Sequence, residues 1–413
     1  MRNPRVALVS SYDPDCGIGV YTWMLATALK KEGVETEVIT RTKDNPDPNW
    51  GIEVHKVVDV KNSQWPKMLA NFVRAKGYDV VHVQHEYALW TEYENEARRD
   101  LWNKDLIRFL EVSPVPVIVT AHSVYTVQGE HQNWFMREAS ERAANTIVHA
   151  YVQRAALANN LGLTEGEVER RFEVIPHWSR EGIELDKEEC KKEFGLEGII
   201  VGHPTFIQPN KGTLELVEDI WPRVYERTSK KGLEVKLFIT GKYRDPAHEE
   251  YYAQVQRAIA TSPIRETIMF REDIHPRNGE GIRRAMSASD LLAWPHTEES
   301  TSGSVQMGIE CGVPCVASAI EGMTEQVGGI SRNGITVPPV GVLVNPKNYE
   351  RFPVTLDYSA FSDAIYHLIT HPEERIKFSK NAGQNVREWS GLSVVAKRHL
   401  EVYKAAVPAY VRA

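Results

Sequence analysis

The stretch from Trp294 to Ser318 holds the densest group of polar residues in the sequence, W-P-H-T-E-E-S-T-S-G-S-V-Q-M-G-I-E-C-G-V-P-C-V-A-S. The apolar run Leu291 to Trp294 predicts a buried strand, and Ser302 stands where it can cap the helix that follows. A helix start offers free backbone N–H groups and a positive dipole end, and Gly303 lets an anionic group approach the backbone closely. We expect a phosphate to bind there; a plain helix cap is the alternative.

A second anion-binding turn is predicted around Lys211. The apolar strand Ile199 to Phe206 is followed by I-Q-P-N-K-G and then by a helix. A lysine next to a glycine at a strand-to-helix turn can neutralise a phosphate as a mobile point charge, whereas the alternative is a solvated turn lysine. Two more cations, Lys242 and Arg244, follow the next strand, Val235 to Gly241.

A glycine loop follows the first strand, Arg5 to Ser11, and has the sequence D-P-D-C-G-I-G-V. Gly17 and Gly19 stand at a predicted helix start, so the loop can cradle a phosphate, although it lacks the full G-x-G-x-x-G pattern. Asp13 and Asp15 flank a proline, which favours turn chemistry over a metal site. We assign no metal ligands.

Histidines follow three of the predicted strands in the first half. His85 follows strand 79–83, His122 follows strand 115–120, and His177 follows Ile175. In parallel α/β sheets, ligands bind at the carboxyl ends of the strands, so these residues are candidates for a site. A buried structural histidine is the alternative for each of them. His122 is the preferred candidate.

Aromatic residues are concentrated in the first half, where seven of the ten tryptophans precede residue 180. Several fall in the long loops 87–103 and 123–135, where aromatic rings suit the faces of sugars. Gap filling in the core is the alternative, and it is preferred for Trp23 and Trp102. The candidates for acceptor binding are His85, Glu86, Tyr125, Trp90 and Trp134.

The chain of 413 residues is longer than a typical domain with a single hydrophobic core, which predicts two domains of roughly 200 residues each. Strand and helix signals alternate along both halves, which is typical of parallel α/β sheets. The polar stretch from Ser179 to Asp186 marks a junction. We expect domains over residues 1–184 and 185–385, with a helical segment at 386–413.

Composition and charge narrow the function classes. The net charge is −7 with basic residues interspersed among acidic ones, so no nucleic-acid partner is expected. The four cysteines show no metal-type pairing, which favours reduced thiols in a cytoplasm. No apolar run reaches ~18 residues, and the N-terminus lacks a signal-peptide core. We expect a cytoplasmic location, and nothing in the sequence indicates membrane association. Assembly into a homo-oligomer stays an open alternative.

Eight motifs together resemble the retaining glycosyltransferases of family 4. Their order and spacing form a specific signal that covers nearly the whole chain. The motifs are G-I-G-V-Y at 17–21, V-V-H-V-Q-H-E-Y at 80–87, T-A-H-S at 120–123, V-I-P-H at 174–177, P-N-K-G-T-L-E at 209–215, E-S-T-S-G at 299–303, C-G-V-P at 311–314 and E-G-M-T-E at 321–325.

The resemblance implies the GT-B architecture, in which two Rossmann-like domains with parallel sheets face each other across an interdomain cleft. The first domain then serves the acceptor, the second binds a nucleotide sugar, and segment 386–413 packs back on the first. By the same resemblance, Gly17, Gly19 and Lys211 meet the diphosphate. His122 lies near the transferred sugar, and Glu299, the first glutamate of an E-x7-E motif, binds sugar hydroxyls.

Two positions depart from the family pattern. Met307 stands where the second glutamate of the motif binds the nucleotide ribose, and a thioether cannot make those hydrogen bonds. Glu310 is the candidate substitute. Phe206 replaces an expected arginine, so the diphosphate relies on other groups, as in the subset with an E-S-S-G-like loop. The predicted donor-site residues are Lys211, Lys242, Arg244, Ser302, Gly303 and Ser304, together with Glu299, Glu310, Gly17 and Gly19.

The resemblance implies a retaining hexosyltransferase that uses a UDP-, GDP- or ADP-hexose and a hydroxyl of a sugar or glycoconjugate. His122, Glu299 and Lys211 are the predicted catalytic residues, and no cofactor or metal is expected. Because no pair of carboxylates for double displacement is identifiable, we expect front-face substitution. A sugar phosphorylase or nucleotide-sugar epimerase of the same fold stays open, as does a non-catalytic nucleotide-sugar-binding protein.

Overall fold

The computed structural model describes residues 2–90, 103–183, 185–274, 279–332, 335–349 and 352–411. The chain divides into two compact units, Met1–Trp178 with Leu392–Ala413, and Ser179–Gly391, here called the first and second units. The sequence-based boundaries lie after residues 184 and 385. Trp102 and positions 91–102 of the loop 87–103 lie outside the described residues.

The first unit contains a seven-stranded parallel sheet in the order β3-β2-β1-β4-β5-β6-β7. Its strands are β1 (Val6–Val9), β2 (Thr36–Arg41), β3 (Val54–Val58), β4 (Val80–His85), β5 (Val117–Ala121), β6 (Asn145–Val148) and β7 (Phe172–Val174). Its helices are α1 (Gly17–Lys31), α2 (Trp65–Lys76), α3 (Lys104–Val112), α4 (Glu130–Arg142), α5 (Tyr151–Leu161) and α6 (Glu165–Arg171).

The C-terminal helix belongs to the first unit. Its apolar residues Val395, Leu400 and Tyr403 share a buried cluster with Tyr21 and Leu25 of α1. This helix, α16 in chain order, spans Leu392–Val411. The last helix of the chain therefore completes the core that the first helix begins.

The second unit contains a six-stranded parallel sheet in the order β10-β9-β8-β11-β12-β15, plus a small antiparallel pair, β13-β14. Its strands are β8 (Ile199–Pro204), β9 (Val235–Thr240), β10 (Ile268–Arg271), β11 (Leu291–Trp294), β12 (Cys315–Ser318), β13 (Ile330–Arg332), β14 (Ile335–Val337) and β15 (Gly341–Val344). Its helices are α7 (Lys187–Phe194), α8 (Thr213–Glu215), α9 (Trp221–Ser229), α10 (Glu249–Thr261), α11 (Gly279–Ser287), α12 (Gly303–Glu310), α13 (Met323–Gly328), α14 (Tyr358–Thr370) and α15 (Pro372–Asn385).

Helices cover both faces of this second sheet. On one face, Trp221, Val255 and Phe361 from α9, α10 and α14 pack against the strands. On the other face, Ile282 and Val305 from α11 and α12 pack against them. Strands buried on both faces explain the continuous apolar runs in the sequence. The prediction of two parallel α/β sheets is confirmed.

The amphipathic helix α2 buries Trp65, Leu69 and Val73, while Lys67 and Met68 are exposed. The face that carries its apolar residues thus contributes to the core of the first unit. Within the described parts of the chain, no helix has the length and apolar character needed to cross a membrane.

Candidate functional site

Two loops of the second unit, those after β8 and β11, lie against each other. The side-chain amide of Asn210 donates to the carbonyl of Glu298 at 3.0 Å, and the N–H of Thr297 donates to the carbonyl of Asn210 at 3.0 Å. Gly212 has a φ of 66°, and a Cβ there would collide with the carbonyl of Pro295. Glycine is therefore required where the loops touch.

Lys211 and Glu299 form an ion pair between these loops, although they stand 88 residues apart in the chain. The Lys211 ammonium contacts the Oε2 atom of Glu299, and Lys211 is only 7% exposed. Each group is the counterion of the other, which offsets part of the cost of burying the two charges. The structure thus brings two of the predicted catalytic residues together.

His296 lies beside this ion pair. Its side chain is fully buried, and its Nδ1 atom is 3.6 Å from Oε2 of Glu299, which is too far for a hydrogen bond. Burial, followed by the charge of Lys211 and by His203, holds the pKa of His296 well below its usual value. His203 differs, because its Nδ1 contacts the carbonyl of Ala293 at 2.7 Å.

The start of α12 has the predicted cap. The Ser302 hydroxyl accepts from the N–H of Val305, and the Ser302 backbone is also held by Gln326 of α13. Gln326 accepts from the N–H of Ser302 at 2.9 Å and donates to its carbonyl at 3.1 Å. The N–H groups of Gly303 and Ser304 lie in the first turn of α12, where the helix itself provides no carbonyl acceptor for them. They can therefore bind an anion.

A buried polar network continues from Gln326. Its amide donates to Oε1 of Gln306 at 3.1 Å, and the amide of Gln306 donates to the hydroxyl of Ser179 at 2.7 Å. The hydroxyl of Ser390 lies 3.1 Å from that of Ser179. The chain passes between the two units next to these serines, after Trp178 and after Gly391. The network ties the loop at Ser302 to both crossing points.

Three other predicted donor-site residues lie elsewhere in the second unit. Lys242 and Arg244 follow β9 and have exposed side chains. Glu310 ends α12, is buried, pairs with Arg283 of α11 and accepts from the N–H of Arg180 at 2.7 Å. Burial raises the pKa of Glu310. A role for Glu310 at the ribose stays a prediction.

In the first unit, His122 follows β5 and contacts two neighbours. Its Nε2 lies 2.9 Å from Oε1 of Gln84, and its Nδ1 lies 3.2 Å from Nε2 of His149. The other nitrogen of His149 donates to the carbonyl of Ile175 at 2.9 Å, because a carbonyl can only accept. The ring of His122 is therefore held in place by residues of β4 and of the segment after β6.

The histidine network reaches the C-terminal helix through His82. Its Nδ1 lies 2.7 Å from the hydroxyl of Tyr403 in α16, and its Nε2 lies 2.7 Å from the hydroxyl of Thr120. The amide of Gln84 lies 3.1 Å from the same Nε2. Contacts thus run from Tyr403 through His82 and Gln84 to His122.

Burial keeps these imidazoles neutral. It holds the pKa of His122 well below its usual value, and the neighbouring His149 lowers it further. Burial also lowers the pKa of His149 to about 3 and that of His177 to about 4. A neutral ring can donate and accept a hydrogen bond but carries no charge toward an anion. These histidines therefore present polar groups rather than positive charge.

The glycine loop has the predicted turn geometry. A Cβ at Gly19 would collide with the backbone of Asp13, whereas Gly17 has open space around it. The Asp13 carboxylate accepts from the N–H groups of Asp15 at 2.9 Å and Asn45 at 3.2 Å, which is turn chemistry. Contact of the glycines with a diphosphate stays a prediction.

The predicted acceptor residues separate into buried and accessible ones. His85 is fully buried and stacks on Phe135, and Trp90 is 2% exposed and donates to the carbonyl of Gln84. In this conformation both side chains make packing contacts. The others keep some exposed surface: Glu86, Tyr125 and Trp134. Acceptor binding stays a prediction for all five.

One group among the described residues has the spacing of metal ligands, namely Glu37, Glu53 and His55 near the edge of the first sheet. Glu37 also accepts from the hydroxyl of Tyr78 at 2.7 Å, and the ammonium of Lys76 lies 3.5 Å from it. A guanidinium, that of Arg5, pairs with the same carboxylate. These partners account for the cluster as an ion-pair network.

Several residues of both networks were missed from the sequence. His296 stands inside the predicted loop, and its position directly after a buried strand was an available signal. The glutamines interrupt apolar helix or strand patterns, but such a pattern does not indicate which groups they bind. The missed residues are His296, Gln306, Gln326, Gln84, His149, His82 and Tyr403.

Comparisons with known proteins cover both units. The family model described as Glycosyltransferase Family 4 matches residues 16–178, and the model described as Glycosyl transferases group 1 matches residues 198–370. D-inositol 3-phosphate glycosyltransferase of Pseudarthrobacter chlorophenolicus is 23% identical over 439 residues, covering 96% of this chain and 91% of the relative. The protein of that name from Gordonia bronchialis is 25% identical, with coverages of 94% and 85%.

Solved structures share the fold. HepE of Anabaena in complex with UDP aligns with a TM-score of 0.69 and 15% identity, covering 97% of this chain and all of that one (100%). Sucrose-phosphate synthase from Thermosynechococcus elongatus aligns with a TM-score of 0.70 and 17% identity, covering 98% and 100%.

Proposed function

The chain belongs to the family 4 glycosyltransferases and has two Rossmann-like units of the GT-B class; on that premise we propose that it transfers a hexose from a nucleoside diphosphate sugar to a hydroxyl acceptor with retention of configuration. The observation that carries this proposal is the ion pair of Lys211 with Glu299. Glu299 stands three residues before the cap of α12. A cation, a carboxylate and free amide groups thus belong to two joined loops.

The diphosphate is the group that these loops suit. As the sugar leaves, negative charge develops on the phosphate oxygens, and the Lys211 ammonium can neutralise it. The N–H groups of Gly303 and Ser304 add hydrogen bonds at the positive end of a helix dipole. No cofactor or metal is needed for this charge stabilisation.

The sugar is assigned to two other residues. Glu299 would accept hydrogen bonds from sugar hydroxyls once its lysine partner contacts the diphosphate. The neutral imidazole of His122 would orient the transferred sugar, a role supported by its contacts with Gln84 and His149. An uncharged ring makes directional hydrogen bonds without competing with Lys211 for the anion.

The reaction then proceeds by front-face substitution. The bond between the anomeric carbon and the leaving phosphate oxygen breaks, and the acceptor oxygen bonds to the same face of that carbon. The leaving phosphate oxygen takes the proton of the acceptor hydroxyl. The product glycoside keeps the configuration of the donor, and a nucleoside diphosphate is released.

Relatives guide the choice of substrates for a test. HepE of Anabaena was solved with UDP, which puts UDP-hexoses first among the donors, ahead of GDP- and ADP-hexoses. Relatives named D-inositol 3-phosphate glycosyltransferase put inositol phosphates among the acceptors beside free sugars. The acceptor is therefore a hydroxyl compound of the sugar or polyol class.

The test is a donor screen followed by product analysis. Binding of UDP, GDP and ADP is measured by calorimetry, and the preferred donor is incubated with a panel of sugar and polyol-phosphate acceptors. We expect one nucleotide to bind and a glycoside to form whose NMR coupling constant at the anomeric carbon matches that of the donor. Glu299→Gln, which keeps the shape but removes the charge, should lose turnover.

The other candidate activities give different results in the same screen. Product formation only with inorganic phosphate would indicate a phosphorylase, and conversion of the donor without an acceptor would indicate an epimerase. Nucleotide binding without turnover on any acceptor or with phosphate would favour a non-catalytic binding protein. An inverted anomeric configuration would contradict the retaining mechanism.

A further inference from the structure

His296 is a buried polar side chain whose ring nitrogens have no hydrogen-bond partner within the described ranges of the chain. It is fully buried in the loop after β11. Buried polar groups in folded proteins almost always have a partner, and leaving one without costs free energy. Such a group calls for a physical explanation, such as a partner that it gains in another state.

The nearest candidate partner is Glu299. Nδ1 of His296 lies 3.6 Å from Oε2 of Glu299, and this oxygen is the one that contacts the Lys211 ammonium. A shift of less than about 1 Å would bring the two atoms to the distance of a normal hydrogen bond. The carboxylate therefore has a lysine in contact and a histidine just out of reach.

We propose that His296 is a positioning residue that takes up the Glu299 carboxylate when Lys211 turns to the diphosphate of the donor. The inference rests on the proposed function, because it is the diphosphate that attracts Lys211 away. It goes beyond that function by naming what holds Glu299 after its cation has left.

The physical reason is the cost of leaving a buried charge without a partner. If Lys211 moved to a phosphate, Glu299 would remain in a mostly buried site without a counterion. A neutral imidazole with its proton on Nδ1 can donate a hydrogen bond to the carboxylate in place of the lysine. The exchange would keep Glu299 available to accept from sugar hydroxyls.

The neutral state of His296 suits this exchange. Burial and the nearby charge of Lys211 disfavour a second proton on the ring, so His296 does not compete with Lys211 for Glu299 before the donor binds. The alternative is a space-filling ring, since His296 packs edge-on against Trp294 with 5.9 Å between ring centroids. Substitutions that keep either the ring or one nitrogen separate these two explanations.

Three substitutions provide that separation. Asn at position 296 places an amide N–H₂ close to the position of Nδ1, Gln places it close to Nε2, and Phe keeps only the ring. Calorimetry with the nucleoside diphosphate that the wild type prefers should show His296→Asn within about threefold of the wild type. His296→Gln and His296→Phe should lose about tenfold, the effect of one hydrogen bond to a charged group.

A double substitution tests the exchange itself. In Lys211→Met, Glu299 has no lysine in either the free or the bound state, so the partner of His296 no longer changes on binding. His296→Phe should then have no further effect on affinity, whereas it loses about tenfold in the presence of Lys211. The ¹⁵N NMR signals of the His296 ring should also show a new hydrogen bond at Nδ1 when nucleotide is added to the wild type.

The outcomes are distinguishable. If the wild type binds nucleotide and His296→Phe binds equally well, or if His296→Asn loses as much as His296→Phe, the exchange is wrong and the proposed function stands. If the wild type binds no nucleoside diphosphate, the proposed function fails and the exchange fails with it. Melting temperatures identify variants that lose affinity only because they do not fold.

Discussion

Histidines lie beyond strand ends in both parallel sheets, but their surroundings differ. In the first unit, His122 beyond β5 contacts Gln84 and His149, and His149 beyond β6 donates to the carbonyl of Ile175. In the second unit, His296 has no hydrogen-bond partner among the described residues, although a carboxylate lies 3.6 Å from it. The histidines beyond β5 and β6 thus have protein partners, and the histidine beyond β11 has none among the described residues.

The difference indicates how each edge can work. Imidazoles that contact protein partners keep their orientation, which suits a surface that must position a sugar without changing itself. A lysine, a glutamate and an unpartnered histidine can exchange partners when an anion arrives, which suits a group that must respond to a leaving diphosphate. The first edge, formed by the residues at and beyond the ends of β4, β5 and β6, should therefore be sensitive to protonation. The second edge, formed by the loops after β8 and β11 and the start of α12, should be sensitive to ligand binding.

Acidification should have the largest effect, and it should act mainly on the first unit. Six histidines of the first unit have a lowered pKa, against two in the second, among the residues described: His82, His85, His122, His149, His177 and His399, and His203 and His296. Between the lowered pKa and about 6.5, the unfolded state binds more protons, so stability rises with pH and falls on acidification.

For His149, whose pKa is about 3, the loss by pH 5 amounts to about 2 kcal/mol in the free energy of unfolding. Hydrogen exchange, corrected for intrinsic rates, should show amides of β4 and β5 losing protection between pH 7.5 and 5 before those of β8 and β11. Equal losses in the two units would remove the distinction between them.

Removal of the Lys211 charge should have the next largest effect, confined to ligand binding. Lys211→Ala should weaken nucleoside diphosphate binding by about 1.5 to 3 kcal/mol, which is roughly 10- to 150-fold, the value of a charge-assisted hydrogen bond. Calorimetry measures the change, and Lys192→Ala, at an exposed lysine of α7 outside the predicted site, provides a comparison of equal charge. An unchanged affinity would exclude Lys211 from the site.

Removal of the Gln326 side chain should disturb the second edge indirectly. Gln326→Leu removes two hydrogen bonds to the Ser302 backbone and leaves its N–H without that partner, which should cost about 1 to 3 kcal/mol of stability. Nucleotide affinity should fall as well, because the amide groups of α12 lose their fixed orientation. A variant with wild-type melting temperature and affinity would show that the loop needs no such support.

The smallest expected effect belongs to Tyr403, which joins the C-terminal helix to the histidines of the first edge. Tyr403→Phe removes the hydroxyl that contacts His82 and should cost about 1 kcal/mol in urea unfolding. The matched control is Tyr12→Phe, because the buried Tyr12 hydroxyl has no partner within the described chain. That control should be neutral or slightly stabilising. Equal effects of the two substitutions would contradict a role for Tyr403 in the network.

Much of the second edge was predictable because the sequence patterns that indicate it are local. A capping serine before a helix, a glycine after Lys211 and a glycine next to Ser302 each indicate backbone geometry within a few residues. The structure has a cap at Ser302 and a left-handed glycine at Gly212. Local patterns did not indicate that Glu310 faces Arg283, since this pairing joins two helices.

The predicted acceptor residues were harder to assign, because their surroundings also come from distant parts of the chain. His85 is the last residue of β4 and Trp90 follows the strand, and both side chains are buried: His85 stacks on Phe135, and Trp90 donates to the carbonyl of Gln84. A polar residue at a strand end has the same sequence signal whether its side chain is covered or open. Whether the side chain is buried depends on helices from distant parts of the chain, here α4, which carries Phe135.

The sequence by itself determined the alternation of strands and helices, the two parallel sheets and the places where polar loops follow strands, because periodicity and turn residues act over short distances. Tertiary structure alone decided which polar groups meet: Lys211 with Glu299 across 88 residues, and Tyr403 with His82 across 321 residues. The physical reason is that side-chain partners are selected by packing and by the cost of burying unsatisfied groups, which exist only in the folded chain.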